Sequence, residues 1–356
     1  MKGYLVLEDG TVFEGEAFGA EKEALGEVVF ATGMTGYQES LSDPSYCGQI
    51  LVASYPLIGN YGVNKNDFQS SRIQVWGYVV RERCEHPSHR ASDRNIDQFL
   101  KDDGIPGICG IDTRSVIRRI RTSGTMKGGI TTGDPKEFLE EIRAAPHPEL
   151  SNLVSKVSTK EILRFDEARS KTIALFDCGL KNNIVNELRQ RFNVIQMPFD
   201  TPASVVRGFQ PDGIFISNGP GNPAHPEMLE TTISSLRELK DESPMMGICL
   251  GHQLLSLVFG AKTYKLKFGH RGINQPVKFE GKVYITSQNH GFAVDPASTE
   301  DAGLEITTTN LNDGTVEGMR HKELPVFSVQ FHPEAQPGPQ DTGFLFDRFA
   351  KMLEGD

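Results

Sequence analysis

The sequence has little of three features that would each assign it to a class of proteins. It has no run of 18 apolar residues, so no segment is predicted to span a membrane. Its five cysteines are scattered and odd in number, which argues against a disulfide framework and is typical of a reducing, cytoplasmic compartment. It has no excess of positive charge: 37 lysines and arginines against 47 acidic residues give a formal net charge of -10, which argues against general binding to nucleic acids or anionic membranes.

Two short patterns are present but incomplete. Residues 1–10 combine a short apolar segment with an early acidic pair, which does not fit a secretory signal. The cluster Cys84-Glu85-His86 with His89 offers metal ligands, but it lies in a very polar stretch without a second ligand pair at zinc-site spacing. We therefore predict a solvated loop there and no metal site.

The length of 356 residues favours two domains over one small core. Residues 1–152 mix strand patterns with helix patterns, which predicts an α+β domain built around a small sheet or barrel. A hairpin is predicted at Asp9-Gly10. Helices are predicted from a cap at Ser92 or Asp93 to Leu100, from Asp112 to a stop at Gly124, and over 135–144. Residues 153–170 are polar and charge-rich, and a linker is predicted.

Residues 171–356 alternate between buried strand patterns and amphipathic helix patterns. Apolar runs such as 172–176 and 213–217 alternate with segments such as 182–191 and 226–239. This alternation predicts an α/β domain with a mostly parallel sheet flanked by helices. Functional residues in such sheets lie at the carboxyl ends of the strands.

The segment 247–253, Gly-Ile-Cys-Leu-Gly-His-Gln, lies between a short apolar run and an amphipathic one. Its flanking glycines permit a sharp turn, so Gly-x-Cys-x-Gly is the cysteine form of the nucleophile elbow. Cys249 would lie at the positive end of a helix, which favours a thiolate. The alternative is a buried structural cysteine whose glycines only close a strand–helix turn.

Two other predicted strand ends carry complementary chemistry. Residues 217–221, Ser-Asn-Gly-Pro-Gly, form a rigid turn with exposed backbone N–H groups. His332 and Glu334 follow the strand pattern 326–331 and point to the same side, because residues i and i+2 of an extended segment do so. A carboxylate next to an imidazole fixes its tautomer. Together with Cys249, these groups predict acyl transfer through a thioester, without identifying the substrate.

The motifs at 217–221, 247–253 and 330–335 resemble those of the class I glutamine amidotransferases. The first half sharpens this likeness: Leu-Glu-Asp-Gly-Thr at 7–11, Thr-Gly-Tyr-Gln-Glu at 35–39, Asp-Pro-Ser-Tyr at 43–46 and Ile-Asp-Thr-Arg at 111–114 resemble the small-subunit family of carbamoyl-phosphate synthase. Phe-Gly-His at 268–270 and the segment 288–294 do so as well. One departure lies at 272–276, where Ile273 and Gln275 replace the glycine and histidine of many relatives.

The resemblance implies a role for each matching residue. Cys249 would attack the glutamine amide, His332 would transfer protons, and Glu334 would orient His332. The backbone N–H groups of Gly219 and Leu250 would stabilise the oxyanion. The residues implied to bind glutamine are Ser45 from the first domain and Gly219, Gly221, Leu250, Gln253, Asn289, Gly291 and Phe292.

The resemblance also implies a partner. Ammonia would pass through an internal tunnel to a large synthetase subunit, in a heterodimer or higher oligomer. That subunit would bind ATP and Mg²⁺, with no cofactor on this chain and no nucleic-acid or membrane partner. The carbamoyl phosphate produced would serve arginine synthesis, pyrimidine synthesis or both.

Three alternatives remain at the level of the sequence. An amidotransferase serving another synthetase would not need the first-half motifs. A non-catalytic regulatory subunit would not need Cys249, His332 and Glu334 intact. A cysteine peptidase of similar fold would not need the motifs at 217–221 and 251–253.

Overall fold

The computed structural model describes residues 1–355, which form two compact units. The first is Met1–Ser151, and the second begins at Asn152. Residues 153–170, which we expected to be a linker, therefore belong to the second unit. They contain a short helix and a strand that pairs with the sheet of that unit. The polar composition of this stretch concealed the pairing, because an edge strand can leave most of its side chains in water.

The first unit contains a closed barrel and a separate two-stranded sheet. The strands of this unit are β1 (Lys2–Leu7), β2 (Val12–Gly19), β3 (Ala24–Ala31), β4 (Gln49–Ala53), β5 (Leu57–Ile58), β6 (Gly77–Val79), β7 (Glu82–Arg83), β8 (Pro106–Cys109) and β9 (Met126–Thr131). Its α-helices are α1 (Tyr37–Ser42), α2 (Ile96–Asp102), α3 (Thr113–Ser123) and α4 (Pro135–Ala144). Short 3-10 turns lie at Pro44–Tyr46 and Pro148–Leu150. The barrel order is β1-β2-β8-β6-β4-β3-β9, and β5 pairs with β7.

Local chemistry explains most of these boundaries. The β1–β2 hairpin forms at the predicted turn, where Gly10 has a φ of 91° that favours glycine. Helix α3 has Asp112 as its N-cap and Gly124 as its C-cap, and α4 spans the predicted residues, so both predictions are confirmed. The predicted cap of α2 is wrong. Asn95, not Ser92 or Asp93, caps it by accepting a hydrogen bond from the N–H of Gln98.

The second unit contains strands and helices in alternation. Its strands are β10 (Leu163–Phe165), β11 (Thr172–Asp177), β12 (Asn193–Pro198), β13 (Gly213–Ile216), β14 (Met245–Ile248), β15 (Thr263–Phe279), β16 (Lys282–Val294), β17 (Leu304–Asn310), β18 (Val316–His321) and β19 (Val326–Val329). Its α-helices are α5 (Val154–Val157), α6 (Asn182–Arg189), α7 (Ala203–Gly208), α8 (Pro226–Met228), α9 (Ser234–Leu239), α10 (Leu250–Val258) and α11 (Phe344–Glu354). A π-helical turn, Leu229–Ile233, joins α8 to α9, and a 3-10 turn lies at Pro296–Ser298.

Within the described residues these strands form one sheet, in the order β10-β12-β11-β13-β14-β19-β18-β17-β15-β16. The pairs from β12 to β19 are parallel, and the remainder is antiparallel. Alternate residues of β11 enter two different hydrophobic clusters, since successive side chains of a strand point to opposite faces. Helices α7, α9 and α10 cover one face, and α6 and α11 cover the other. The second unit thus has the expected α/β fold with helices on both faces, but its sheet is mixed and not mostly parallel, because β15 to β18 add antiparallel pairs.

Among residues 1–355, no helix combines the length and apolar character needed to cross a membrane.

Candidate active site

The nucleophile elbow forms between β14 and α10. Cys249 has φ 54° and ψ -103°, an unusual conformation for a residue with a side chain, and it directly precedes the first residue of α10. Its N–H donates to the carbonyl of Val329 on β19 over 2.9 Å. Gly251 lets the helix approach β13 closely, since a Cβ there would overlap the carbonyl oxygen of Ile216. The strained backbone conformation of Cys249 persists only because the surrounding structure imposes it, as happens at many active sites.

His332 and Glu334 form a buried pair beyond the end of β19. The Nδ1 of His332 lies 2.6 Å from Glu334 Oε1, and each residue is at most 3% exposed. Burial by itself lowers the pKa of His332, but the Glu334 carboxylate and the neighbouring Cys249 sulfur outweigh it and raise that pKa to about 10. Because Nδ1 faces Glu334, the other ring nitrogen, Nε2, is the one directed to the thiol. That nitrogen is buried and has no hydrogen-bond partner within residues 1–355, so it is available to accept a proton.

Lys181 completes this array, and the sequence reasoning missed it. Its side chain is 1% exposed, and Nζ lies 2.9 Å from Glu334 Oε1 and 2.6 Å from the carbonyl of Ala335. Burial by itself raises the pKa of Glu334, but the charges of Lys181 and then His332 lower it to about 2. The available signal was position: Lys181 follows the carboxyl end of β11, on the same sheet edge as Cys249.

Strand β16 lies against the nucleophile. The sulfur of Cys249 is 3.5 Å from the carbonyl oxygen of Asn289. The side-chain amide nitrogen of Gln253 donates to the carbonyl of Phe292 over 2.8 Å and to Gln330 Oε1 over 3.0 Å. Gln253 therefore fixes the position of β16 relative to α10. Because the side-chain nitrogen of Gln253 makes these two hydrogen bonds, the predicted contact with the substrate glutamine would use the side-chain oxygen of Gln253.

Two backbone segments meet beside the elbow. Leu250 is the first residue of α10, and the first N–H groups of a helix have no acceptor within it. The 217–221 loop packs tightly onto the end of β11, where a Cβ at Gly219 would overlap the carbonyl oxygen of Cys178 and approach Leu250 within 2.8 Å. Gly219 therefore packs against the side chain of Leu250, so the two residues predicted to supply the oxyanion donors are neighbours. Their role remains a prediction.

The other predicted glutamine contacts occupy distinct environments. Gly221 has a φ of 91°, and Gly291 and Phe292 are half-buried on β16. Ser45 is buried in the 3-10 turn of the first unit, where its N–H donates to Asp43 Oδ1. The glutamine-binding role of all four residues stays a prediction.

His252, which lies in the elbow motif, has a structural position. It is fully buried, and its Nδ1 lies 2.9 Å from Ser328 Oγ on β19. Burial lowers the pKa of His252 to about 3, so the ring is neutral and serves as packing behind the elbow.

Comparisons with known proteins divide the chain in the same way. Residues 174–352 match the family described as glutamine amidotransferase class-I. Residues 5–130 match the family described as carbamoyl-phosphate synthase small chain, CPSase domain. The second unit thus has the amidotransferase fold, with Cys249 at its elbow.

Full-length relatives identify the family. The chain is 53% identical to the carbamoyl phosphate synthase small chain of Archaeoglobus fulgidus, over 99% of both chains. It is 49% identical to that of Methanopyrus kandleri, again over 99% of both. It is 50% identical to that of Bacillus caldolyticus, over 99% of this chain and 97% of the other. The chain belongs to the carbamoyl phosphate synthase small chain family.

Proposed function

We propose that the chain is the glutamine-hydrolysing small subunit of a carbamoyl-phosphate synthase. The observation that carries the proposal is the buried array of Cys249, His332, Glu334 and Lys181 at neighbouring strand ends. The family relationship supplies glutamine as the substrate. The match of residues 5–130 favours this synthase over other partners of amidotransferases.

The first half-reaction releases ammonia. The raised pKa of His332 favours transfer of the Cys249 thiol proton to Nε2 before glutamine binds, and the resulting Cys249 thiolate attacks the side-chain amide carbon of glutamine. The N–H groups of Gly219 and Leu250 stabilise the resulting oxyanion. The tetrahedral intermediate then expels the amide nitrogen, which takes the proton from His332 and leaves as ammonia. A glutamyl thioester on Cys249 remains.

The second half-reaction restores the enzyme. His332 removes a proton from water, which attacks the thioester carbon, and glutamate leaves as the sulfur regains a proton. Glu334 keeps the Nδ1–H of His332 directed towards itself, so that Nε2 stays available in both halves. Lys181 balances the buried charge of Glu334. Glutamine would be held by Ser45, Gly221, Gln253, Asn289, Gly291 and Phe292.

The ammonia has to reach a second active site before water protonates it. We propose that a large partner subunit receives it through an internal tunnel and carries out the ATP-, Mg²⁺- and bicarbonate-dependent chemistry in the cytoplasm. This division of labour gives a direct test. The purified small chain should hydrolyse glutamine slowly and should not turn over ATP, and ATP hydrolysis by the chain alone would contradict the proposal.

The decisive variant is Cys249→Ser in the assembled complex. We expect glutamine-dependent synthesis to fall at least ~1000-fold, because a serine hydroxyl does not replace the thiolate, while synthesis from added ammonia persists. Cys109→Ser is the matched control, since Cys109 is also buried but lies in the barrel unit. Equal loss of both activities in Cys249→Ser would refute the assignment of the nucleophile.

A further inference from the structure

A second cluster of titratable residues lies on the antiparallel side of the sheet. It contains His270 on β15, His290 on β16 and Glu317 on β18, all buried. One possible ligand atom from each residue lies within 4.8 Å of the other two. The mechanism proposed above uses none of the three side chains.

Both imidazole rings are oriented from outside the cluster. His270 Nε2 lies 2.9 Å from Asp313 Oδ2, which leaves Nδ1 directed inward, 3.5 Å from Glu317 Oε1. That Nδ1 is buried and makes no hydrogen bond within the described chain. His290 Nδ1 donates to the carbonyl of Phe292 over 2.8 Å, so its Nε2 also faces inward, 4.0 Å from Glu317 Oε1. Histidines that bind metals commonly donate their other N–H to a carboxylate or a backbone carbonyl in this way.

Gln288 introduces a polarity conflict that a cation would resolve. Its side-chain nitrogen lies 3.0 Å from Glu317 Oε2, the arrangement in which the amide donates to an ionised carboxylate. Its oxygen Oε1 therefore faces His290 Nε2 at 3.1 Å. When the ring of His290 is neutral, its one proton is on Nδ1. His290 Nε2 and Gln288 Oε1 are then both hydrogen-bond acceptors, and they face each other.

Glu317 itself needs a counter-charge. Its side chain is fully buried, and its neutral donors are Asn310, Gln288 and Thr315. Its recorded ion-pair partners are the rings of His270 and His290. Burial by itself lowers the pKa of His270, but Glu317 and Asp313 outweigh it and raise that pKa, so the positive charge next to the buried Glu317 carboxylate can come from the His270 imidazolium or from a bound metal ion.

We infer that His270 Nδ1, His290 Nε2 and Glu317 Oε1 form a binding site for a divalent transition-metal ion. Gln288 Oε1 is positioned as a fourth ligand. Two imidazoles and a carboxylate match the donors of zinc sites. Ligands about 2.0–2.1 Å from a tetrahedral ion lie about 3.4 Å apart. The two histidine nitrogens lie 3.5 and 4.0 Å from Glu317 Oε1 and within 4.8 Å of each other, so an ion would draw the three atoms together.

The sequence did not show this site, because its ligands span 270–317 without a short repeated spacing. The ion would join β15, β16 and β18. It would thereby hold the strand whose Asn289 carbonyl lies against the Cys249 sulfur. Its role is structural positioning, separate from the thioester chemistry.

The test measures metal content and affinity in the full-length chain, prepared without a metal-binding tag. After loading with Zn²⁺ and dialysis, we expect about one ion per chain by elemental analysis and a higher thermal unfolding midpoint than after chelation. His270→Ala and the isosteric Glu317→Gln should each weaken Zn²⁺ affinity by at least ~10-fold. Circular dichroism checks that both variants fold.

His86→Ala is the matched control. His86 is an exposed histidine in the loop that also contains Cys84 and His89, so its loss should leave Zn²⁺ binding unchanged. Fewer than about 0.1 ions per wild-type chain after loading would overturn the inference. Undiminished binding by the His270 and Glu317 variants, or loss of binding in His86→Ala, would overturn it as well. These readouts do not depend on glutamine hydrolysis.

Discussion

Lys181 and Lys171 provide a matched pair for testing what burial does to an ion pair. Lys181–Glu334 and Lys171–Asp212 have the same N–O distance of 2.9 Å. The side chains of the first pair are 1% and 0% exposed, and those of the second are 35% and 33% exposed. At 2.9 Å, the Coulomb attraction is about 6 kcal/mol at an effective dielectric constant of ~20 and about 1.4 kcal/mol in bulk water.

The variants Lys181→Met and Lys171→Met should therefore differ strongly in stability. Lys181→Met leaves Glu334 buried without its lysine and should reduce the free energy of unfolding by about 3–5 kcal/mol. Lys171→Met should reduce it by about 0–1 kcal/mol, because water screens an exposed pair. Removing both buried charges in Lys181→Met/Glu334→Gln should recover part of the loss, since no uncompensated carboxylate remains.

Urea denaturation followed by circular dichroism measures these differences. The single tryptophan, Trp76, lies in the first unit, so its fluorescence reports that unit separately. The effect of Lys181→Met should appear in circular dichroism and leave the Trp76 transition in place. If the two single variants differ by less than ~1 kcal/mol, the argument from burial is refuted.

Two further predictions concern the same edge of the sheet. Cys249→Gly should raise the free energy of unfolding by about 1 kcal/mol, because glycine adopts a φ of 54° without strain, and it should abolish glutamine hydrolysis. Denaturation and glutaminase assays check these two effects. A loss of stability would contradict the inferred strain at the elbow. The pKa of His332, raised to about 10, means that its charged form stabilises the fold fully below the unfolded value of ~6.5, and that this contribution disappears as the pH rises through 10. The stability difference between wild type and His332→Asn should therefore narrow from pH 6.5 to 10, and a widening gap would show that the sign is wrong.

The parts of the fold that local chemistry determines could be predicted from the sequence. Asp112 and Gly124 delimit α3 because a carboxylate cap and a terminal glycine act within a few residues of themselves. The α/β alternation of the second half likewise follows from hydrophobic periodicity. The 226–239 segment is helical as predicted, but the π-helical turn Leu229–Ile233 was not foreseen, because no sequence signal for it was recognised.

The features that could not be predicted from the sequence depend on contacts between residues far apart in the chain. Strand β10 was overlooked because its pairing with β12 is set by the sheet and not by its own polar residues. Lys181 could not be assigned to Glu334 because 153 positions separate them. For the candidate site, motifs identified the reacting groups, whereas the charge balance around them required the three-dimensional structure.

The distance in sequence between Cys249 and the His332–Glu334 pair also affects when the proposed activity can arise during protein synthesis. Strand β19 inserts between β14 and β18, and His332 and Glu334 follow it, 83 and 85 residues after Cys249. Contacts between such distant segments form late, since a large loop has to close first. A chain still on the ribosome can present Cys249 without the base that activates it. Ammonia release would then begin only once His332 and Glu334 have been synthesised and have folded against Cys249, so that shorter nascent chains do not consume glutamine.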